Sequence, residues 1–238
     1  MRTGAGWIAL GGGILLLLTA GCGGGAGNST TTFTLPASRL RTPEVGQAWT
    51  YTVTGMLIGD GLKLPLVGEL TRRYDATSAP GATLTEVEEG EIMTAGQTFP
   101  DNLTTLIAVD NAGNVNDLAL QERDDTGPDA LATPIRALPG DFSFTTQFDQ
   151  ATQLTVRGGP YSHAFKVNGM ERLTVPAGTF LTWRVTETVI NGTNLSQQTV
   201  WYAPEIGNIV KSTIQQQDSA NPDFTTTLLF VLKSTNVH

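Results

Sequence analysis

Few residues of this 238-residue chain could do chemistry, and the sharpest candidate is Cys22, its only cysteine. Cys22 follows Leu18-Thr19-Ala20-Gly21, an apolar stretch from Trp7 to Leu18, and Arg2 near the start. A short apolar run, two small residues and a cysteine form a lipobox. The leader is cut before Cys22, and the thiol then carries a diacylglycerol thioether. The run is too short to span a membrane, which takes about 20 apolar residues. One acyl chain anchors only marginally, so stable mooring calls for a second lipid signal such as a palmitate-type N-acyl chain. With no second cysteine, there is no disulfide to make.

Other reactive residues are thinly spread. His163 and His238 are the only histidines. A Ser-His-Asp site would need His163 as its base, but no G-x-S-x-G elbow occurs, so His163 reads as a surface or satisfied strand residue. Zinc needs several histidine or cysteine ligands, which are missing. Glu86, Glu88, Glu89 and Glu91 form an acidic run, and Asp124-Asp125 another. Two such carboxylates could flank a sugar bond in an envelope hydrolase. Like charges along one strand read more simply as a solvated face. Asp110, Asn111, Asn114, Asn116 and Asp117 offer hard oxygen ligands for calcium, but their order departs from the EF-hand loop, and turns use the same residues. Glu187 shares a strand face with Trp183, Val185 and Val189. A buried carboxylate must be paired or protonated, which predicts an arginine partner or an edge position. No catalytic residue, metal or cofactor is predicted, and the chain reads as non-enzymatic.

The formal charge is −8, and loss of residues 1–21 with Arg2 takes it to about −9. Phosphates repel such a chain, which argues against nucleic acid as a partner. It also means that the N-terminal lipid, not a basic patch, must hold the protein to a membrane. The predicted organisation is a signal peptide at 1–21, a lipidated cysteine and flexible tether at 22–43, and a single β-rich domain at 44–238. Gly23 to Thr34 has Gly/Ser/Thr character and spans about 20 Å as a random coil.

The elements beyond the tether are strands. Trp49, Tyr51 and Val53 alternate with Thr50, Thr52 and Thr54, the period of a half-buried strand. Asp60-Gly61 is a hairpin turn signal. Leu62 to Tyr74 follows, with Pro65 suggesting an edge or bulge. Thr83 to Met93 is a weaker, acidic strand, and Asp110 to Asn114 forms a turn between two short strands. Gly127 to Pro139 is Pro- and Ala-rich and reads as a crossover or hinge with a helical turn. Pro176-Ala177-Gly178 closes a hairpin into Phe180–Ile190. Trp201 and Tyr202 fall on opposite faces, with Trp201 expected in the core. Thr225 to Leu232 is apolar on both faces at its end, as in a central strand. The expected fold is all-β: an antiparallel meander of ten to twelve strands forming an open half-barrel or sandwich, with little helix.

Three segments carry a family resemblance: Val45-Gly46-Gln47-Ala48-Trp49-Thr50-Tyr51, Val175-Pro176-Ala177-Gly178-Thr179-Phe180, and Trp201-Tyr202-Ala203-Pro204-Glu205-Ile206-Gly207-Asn208-Ile209-Val210-Lys211. In order and spacing they resemble a group of uncharacterised bacterial exported proteins and lipoproteins. More distantly, the chain is similar to the Lol-type periplasmic lipoprotein carriers. The resemblance implies an open antiparallel β structure and no catalytic residues. By similarity to Gram-negative sorting rules, Gly23 after the cysteine implies transfer to the outer membrane. Two partner expectations follow: an envelope protein, or a lipophilic ligand in a half-barrel cavity. Trp183, Trp201, Phe180 and Phe230 are the aromatics expected to line such a cavity.

Overall fold

The computed structural model describes residues 37–122 and 125–237. The leader, Cys22 and the Gly23–Thr34 tether lie outside the described residues, as does Asp124. The described chain forms β1 (Ala48–Gly59), β2 (Leu62–Asp75), β3 (Leu84–Thr94), β4 (Gln97–Val109), β5 (Val115–Glu122) and β6 (Asp129–Leu138). It continues through β7 (Gln147–Gln153), β8 (Pro160–Val175), β9 (Gly178–Asn191), β10 (Asn194–Ala203), β11 (Asn208–Asp218) and β12 (Asn221–Thr235). Among the described residues the helical content is one 3₁₀ turn at Pro204–Ile206.

All twelve strands belong to one antiparallel sheet, ordered β6-β5-β4-β3-β2-β1-β12-β11-β10-β9-β8-β7. The first and last strands pair mid-sheet, and the two sheet edges, β6 and β7, are consecutive in the chain. The sheet curls into a barrel that is nearly closed, with one unsealed seam between those edges. A single bridge, Leu131 to Leu154, spans the seam. Side chains replace the missing ladder: Thr133 N–H donates to Thr152 Oγ1 at 3.0 Å, and Arg136 N–H to Gln150 Oε1 at 2.6 Å. The buried Asp129 carboxylate accepts from Val156 and Arg157 N–H at 2.8 and 3.0 Å. Burial opposes its ionised form, but these donors win and hold its pKa below the usual range. Gly127–Pro139 is therefore not a helical crossover. It contains β6, a strand whose proline sits beside a register break of the kind sheet edges tolerate.

Alternation decides which side chains face inward. Trp49, Tyr51 and Val53 are buried, whereas Thr52 and Thr54 are exposed. On β1 the apolar residues face inward and the threonines outward, whereas a membrane-spanning barrel turns an apolar band to the lipid. Pro65 lies within a strand paired to β1, opposite Met56, but the β2–β3 ladder starts only at Val67. The tip of β2 is thus a local edge, where a missing N–H costs no ladder bond. Thr225–Leu232 lies in β12, with β1 and β11 on either side, as a central strand should.

The turns at one barrel end are tight. Asp60 and Gly61 have φ of 49° and 74°, as a type I′ turn demands. The β3–β4 turn copies them with Ala95 and Gly96 at 49° and 77°. Alanine pays a left-handed penalty there that asparagine largely escapes. Ala95→Asn should raise stability by about 0.5–1 kcal/mol in urea unfolding, with an unchanged denaturant slope.

The other barrel end is plugged. Leu40 N–H donates to Gly140 O and Phe142 N–H to Ser38 O, so residues 38–41, expected in the tether, pack onto the barrel. Phe142 is fully buried among Phe165, Trp183 and Tyr202. The β8–β9 hairpin bends at Gly169, where φ is 146° and the register shifts. Its Pro176–Ala177 tip reaches β12, where Ala177 N–H meets Leu232 O at 3.4 Å. Leu173, Val175, Ala177 and Phe180 join the core there.

Candidate functional site

Above the plug the barrel interior is polar. Arg72 lies between the buried Leu70 and Tyr74 on the inward face of β2, and Glu86 and Glu88 share the inward face of β3 with buried Leu84. Arg72 Nη2 donates to Glu88 Oε2 at 2.5 Å and its Nε lies 3.3 Å from Glu86 Oε1. The Arg72 side chain is 24% exposed and that of Glu88 is 15% exposed, so the Glu86–Glu88 face of the acidic run is not solvated, whereas Glu89 and Glu91 are exposed. Glu89 points outward and pairs with Arg73. Burial raises the Glu86 pKa, with Arg72 opposing. Tyr51 Oη donates to Asn208 Oδ1 at 3.3 Å and to Ile209 O at 3.1 Å, and burial pushes its pKa well up.

A second polar group faces this one. Glu187 is 3% exposed and accepts from Tyr202 Oη and Gln198 Nε2, both at 2.9 Å. Its partners are a tyrosine, an amide and a histidine on interior strands, not the arginine or edge position that the sequence suggests. His163 Nε2 lies 3.7 Å from Glu187, within charge range but too far for a hydrogen bond. That nitrogen has no hydrogen-bond partner among the described residues. Burial disfavours protonated His163, but Glu187 and Asp117 outweigh it and raise its pKa above the ordinary value. His163 is therefore a buried, incompletely satisfied residue. Asp117 is 7% exposed and accepts from Tyr161 Oη at 3.0 Å. Burial, helped by the Glu86 charge, pushes its carboxyl up to about 6.

The hairpin-turn end of the barrel is open. A cavity of about 790 Å³ descends from it to the charged layer. Its apolar wall comes from Leu57, Leu66, Ile92, Leu103, Leu228 and Phe230, and Phe99 and Phe224 stand near the rim. Its ionisable lining is Glu88, Asp101, Glu122, Asp125 and Asp218. Burial raises the Asp101 pKa, and the Glu88 charge adds to the rise. A shallow depression of about 880 Å³ lies over the outer face, lined by Thr54, Thr186, Thr199, Thr213 and Thr227 among others. Those side chains point away from the core, so it is sheet curvature rather than an interior site.

The four suspected aromatics do not share one surface. Phe230 lines the cavity. Phe180 is 9% exposed in the plug. Trp183 stacks on Phe142 with ring centroids 6.1 Å apart. Trp201 faces outward, with Lys211 Nζ 4.8 Å from its ring and its Nε1 donating to Glu171, while Tyr202 takes the core position expected of Trp201. The calcium set is also dispersed. Asp110 is spent on Ala112 and Asn114 within its own turn, and Asp117 is inside the barrel. Among the described residues no group of three or more potential metal ligands converges. Asp125 is committed to Glu122 N–H at 2.8 Å. Arg72 and Asp101 are the site residues that sequence reasoning missed, and Asp117, expected as a turn residue or calcium ligand, is a buried interior carboxylate. Arg72 shares its strand parity with Leu66, Leu70 and Tyr74, which was the available signal.

No protein-family model matches this chain, and no curated protein matches it. Among solved structures it is similar to a provisionally named exported protein with a YmcC-like fold from Bacteroides fragilis, at 15% identity and a TM-score of 0.38, over 84% of this chain and 100% of that one. It is also similar to a β-barrel-like protein with a DUF1849 domain, of unknown function, from Brucella abortus, at 11% identity and a TM-score of 0.47, over 83% and 100%. A provisionally named lipoprotein from Parabacteroides distasonis matches at 12% identity and a TM-score of 0.38, over 85% and 100%. A Lol-type carrier is not among these three.

Proposed function

We propose that this chain is a lipid-anchored, non-enzymatic binding protein of the bacterial cell envelope, moored through Cys22 to the outer membrane, with a barrel that takes an apolar-bodied ligand through its open mouth. The observation carrying this reading is the asymmetry of the barrel. One end is plugged by Leu40, Phe142 and the β8–β9 hairpin, while the other opens on a cavity of about 790 Å³ with an apolar wall. That volume falls in the range of small-molecule sites, roughly 300–1,000 Å³. The lipobox supports the mooring, and the polar outer face suits a barrel held beside a bilayer rather than inserted in one. A hydrolase reading has less support: Glu88 is bound to Arg72, and Asp125 is committed to its own loop.

The test has two arms. Cys22→Ser should move the protein from the membrane to the soluble fraction; unchanged fractionation removes the anchor. The same unacylated chain should bind the neutral dye Nile red saturably. Phe99→Arg, at a half-exposed rim position, should weaken that binding about tenfold or more, because a long cationic side chain then crosses the mouth. Saturable binding that Phe99→Arg leaves untouched would place the dye elsewhere and remove the cavity reading.

A further inference from the structure

Resting on the cavity as the binding site, we infer that its ligand is a cationic amphiphile: an apolar body that fills the Leu66–Leu228–Phe230 wall and an amine- or guanidine-type head held by the carboxylates of its lining. Every ionisable residue lining the cavity is acidic, namely Glu88, Asp101, Glu122, Asp125 and Asp218, and no lysine, arginine or histidine lines it among the described residues. Some of this charge is already answered. Arg72 reaches Glu88 from below, and Arg157 lies 3.2 Å from Glu122 and 3.8 Å from Asp125. Asp101 is different. It sits opposite Gly90, diagonal to Glu88 on the same inward face, so among the described residues its charged neighbour on β3 is another carboxylate. A cation placed between Glu88 and Asp101 relieves that repulsion, whereas an anionic head would add to it. The apolar wall supplies the affinity, and the carboxylates choose the head.

The experiment displaces Nile red from the unacylated Cys22→Ser chain with three probes of equal chain length, dodecylamine, dodecanol and dodecanoate, all below their micellar concentrations. The expected order is amine, then alcohol, then carboxylate, with the amine about tenfold or more tighter than the carboxylate, the factor one or two partly desolvated charge contacts supply. The gap should narrow in added salt. Asp101→Asn, nearly isosteric at a partly solvated position, should cut the amine's advantage severalfold and leave dodecanol unchanged. Equal displacement by all three probes, or an amine advantage that Asp101→Asn does not reduce, overturns the cationic-head inference and leaves the cavity reading standing. Failure of the dye itself to bind saturably overturns both.

Discussion

Arg72→Met should destabilise the fold by roughly 3 kcal/mol at neutral pH, the lower end of what breaking a buried ion pair costs. Arg72 stands on the interior face of β2 with Glu86 and Glu88 both in charge contact and Asn208 at 3.5 Å. Methionine keeps much of the volume but leaves two carboxylates facing each other in a poorly solvated interior. Protonation is then their cheapest escape, so the loss should be larger at pH 8 than at pH 5. The triple change Arg72→Met, Glu86→Gln, Glu88→Gln should recover most of the stability, because no uncompensated charge remains. Urea unfolding of the three proteins, with comparable denaturant slopes, reads this directly. A loss under about 1 kcal/mol for the single change would mean that water reaches the carboxylates and screens them.

Asp117→Asn should do the opposite and stabilise the protein at pH 7.5 by about 2 kcal/mol, with the gain vanishing near pH 4. The folded carboxyl titrates at about 6 against an ordinary 3.8, first because it is buried and then because Glu86 is near. Between those values the folded state holds a proton that the unfolded state has released. Stability therefore falls as pH rises through that window and stays lower above it. Asparagine keeps an acceptor for Tyr161 and never ionises. Its buried N–H group takes back part of a possible gain of up to about 3 kcal/mol. His163 acts in the same direction over a higher window. Its folded pKa is raised, so its contribution is complete below its unfolded value and is lost as pH rises through the folded one. At the acid end Asp110, Asp129 and Asp141, whose folded pKa values are depressed, remove stability as pH falls through those values. The chain should be most stable near about pH 4–5. A stability profile that instead rises from pH 5 to 8 would show that Asp117 titrates as an ordinary carboxylate.

Local chemistry carried much of the fold. The Trp49–Thr54 alternation, the Asp60-Gly61 turn and the burial of Glu187 all follow from spacing, because side-chain period and turn dihedrals are properties of a few neighbouring residues. The Pro176–Ala177 turn was legible for the same reason, but not its task as a plug, since that depends on Leu232 far along the chain. The strand period also puts Glu86 and Glu88 on one face. It could not say which way that face points, and polarity alone argued for water. Barrel closure reverses the answer, because Arg72 on the neighbouring strand supplies the countercharge that makes burial tolerable.

The sequence by itself determined an all-β chain of ten to twelve alternating strands, because strand period and turn signals are written in neighbouring residues. Only the tertiary structure decided that β1 closes on β12, that the sheet's open edges meet at β6 and β7, and that one end is filled while the other keeps an acidic, apolar-walled mouth. The first of these depends on pairing between residues more than a hundred positions apart, such as Trp49 with Thr235, and the others follow from the curl of the sheet, which no local pattern can record.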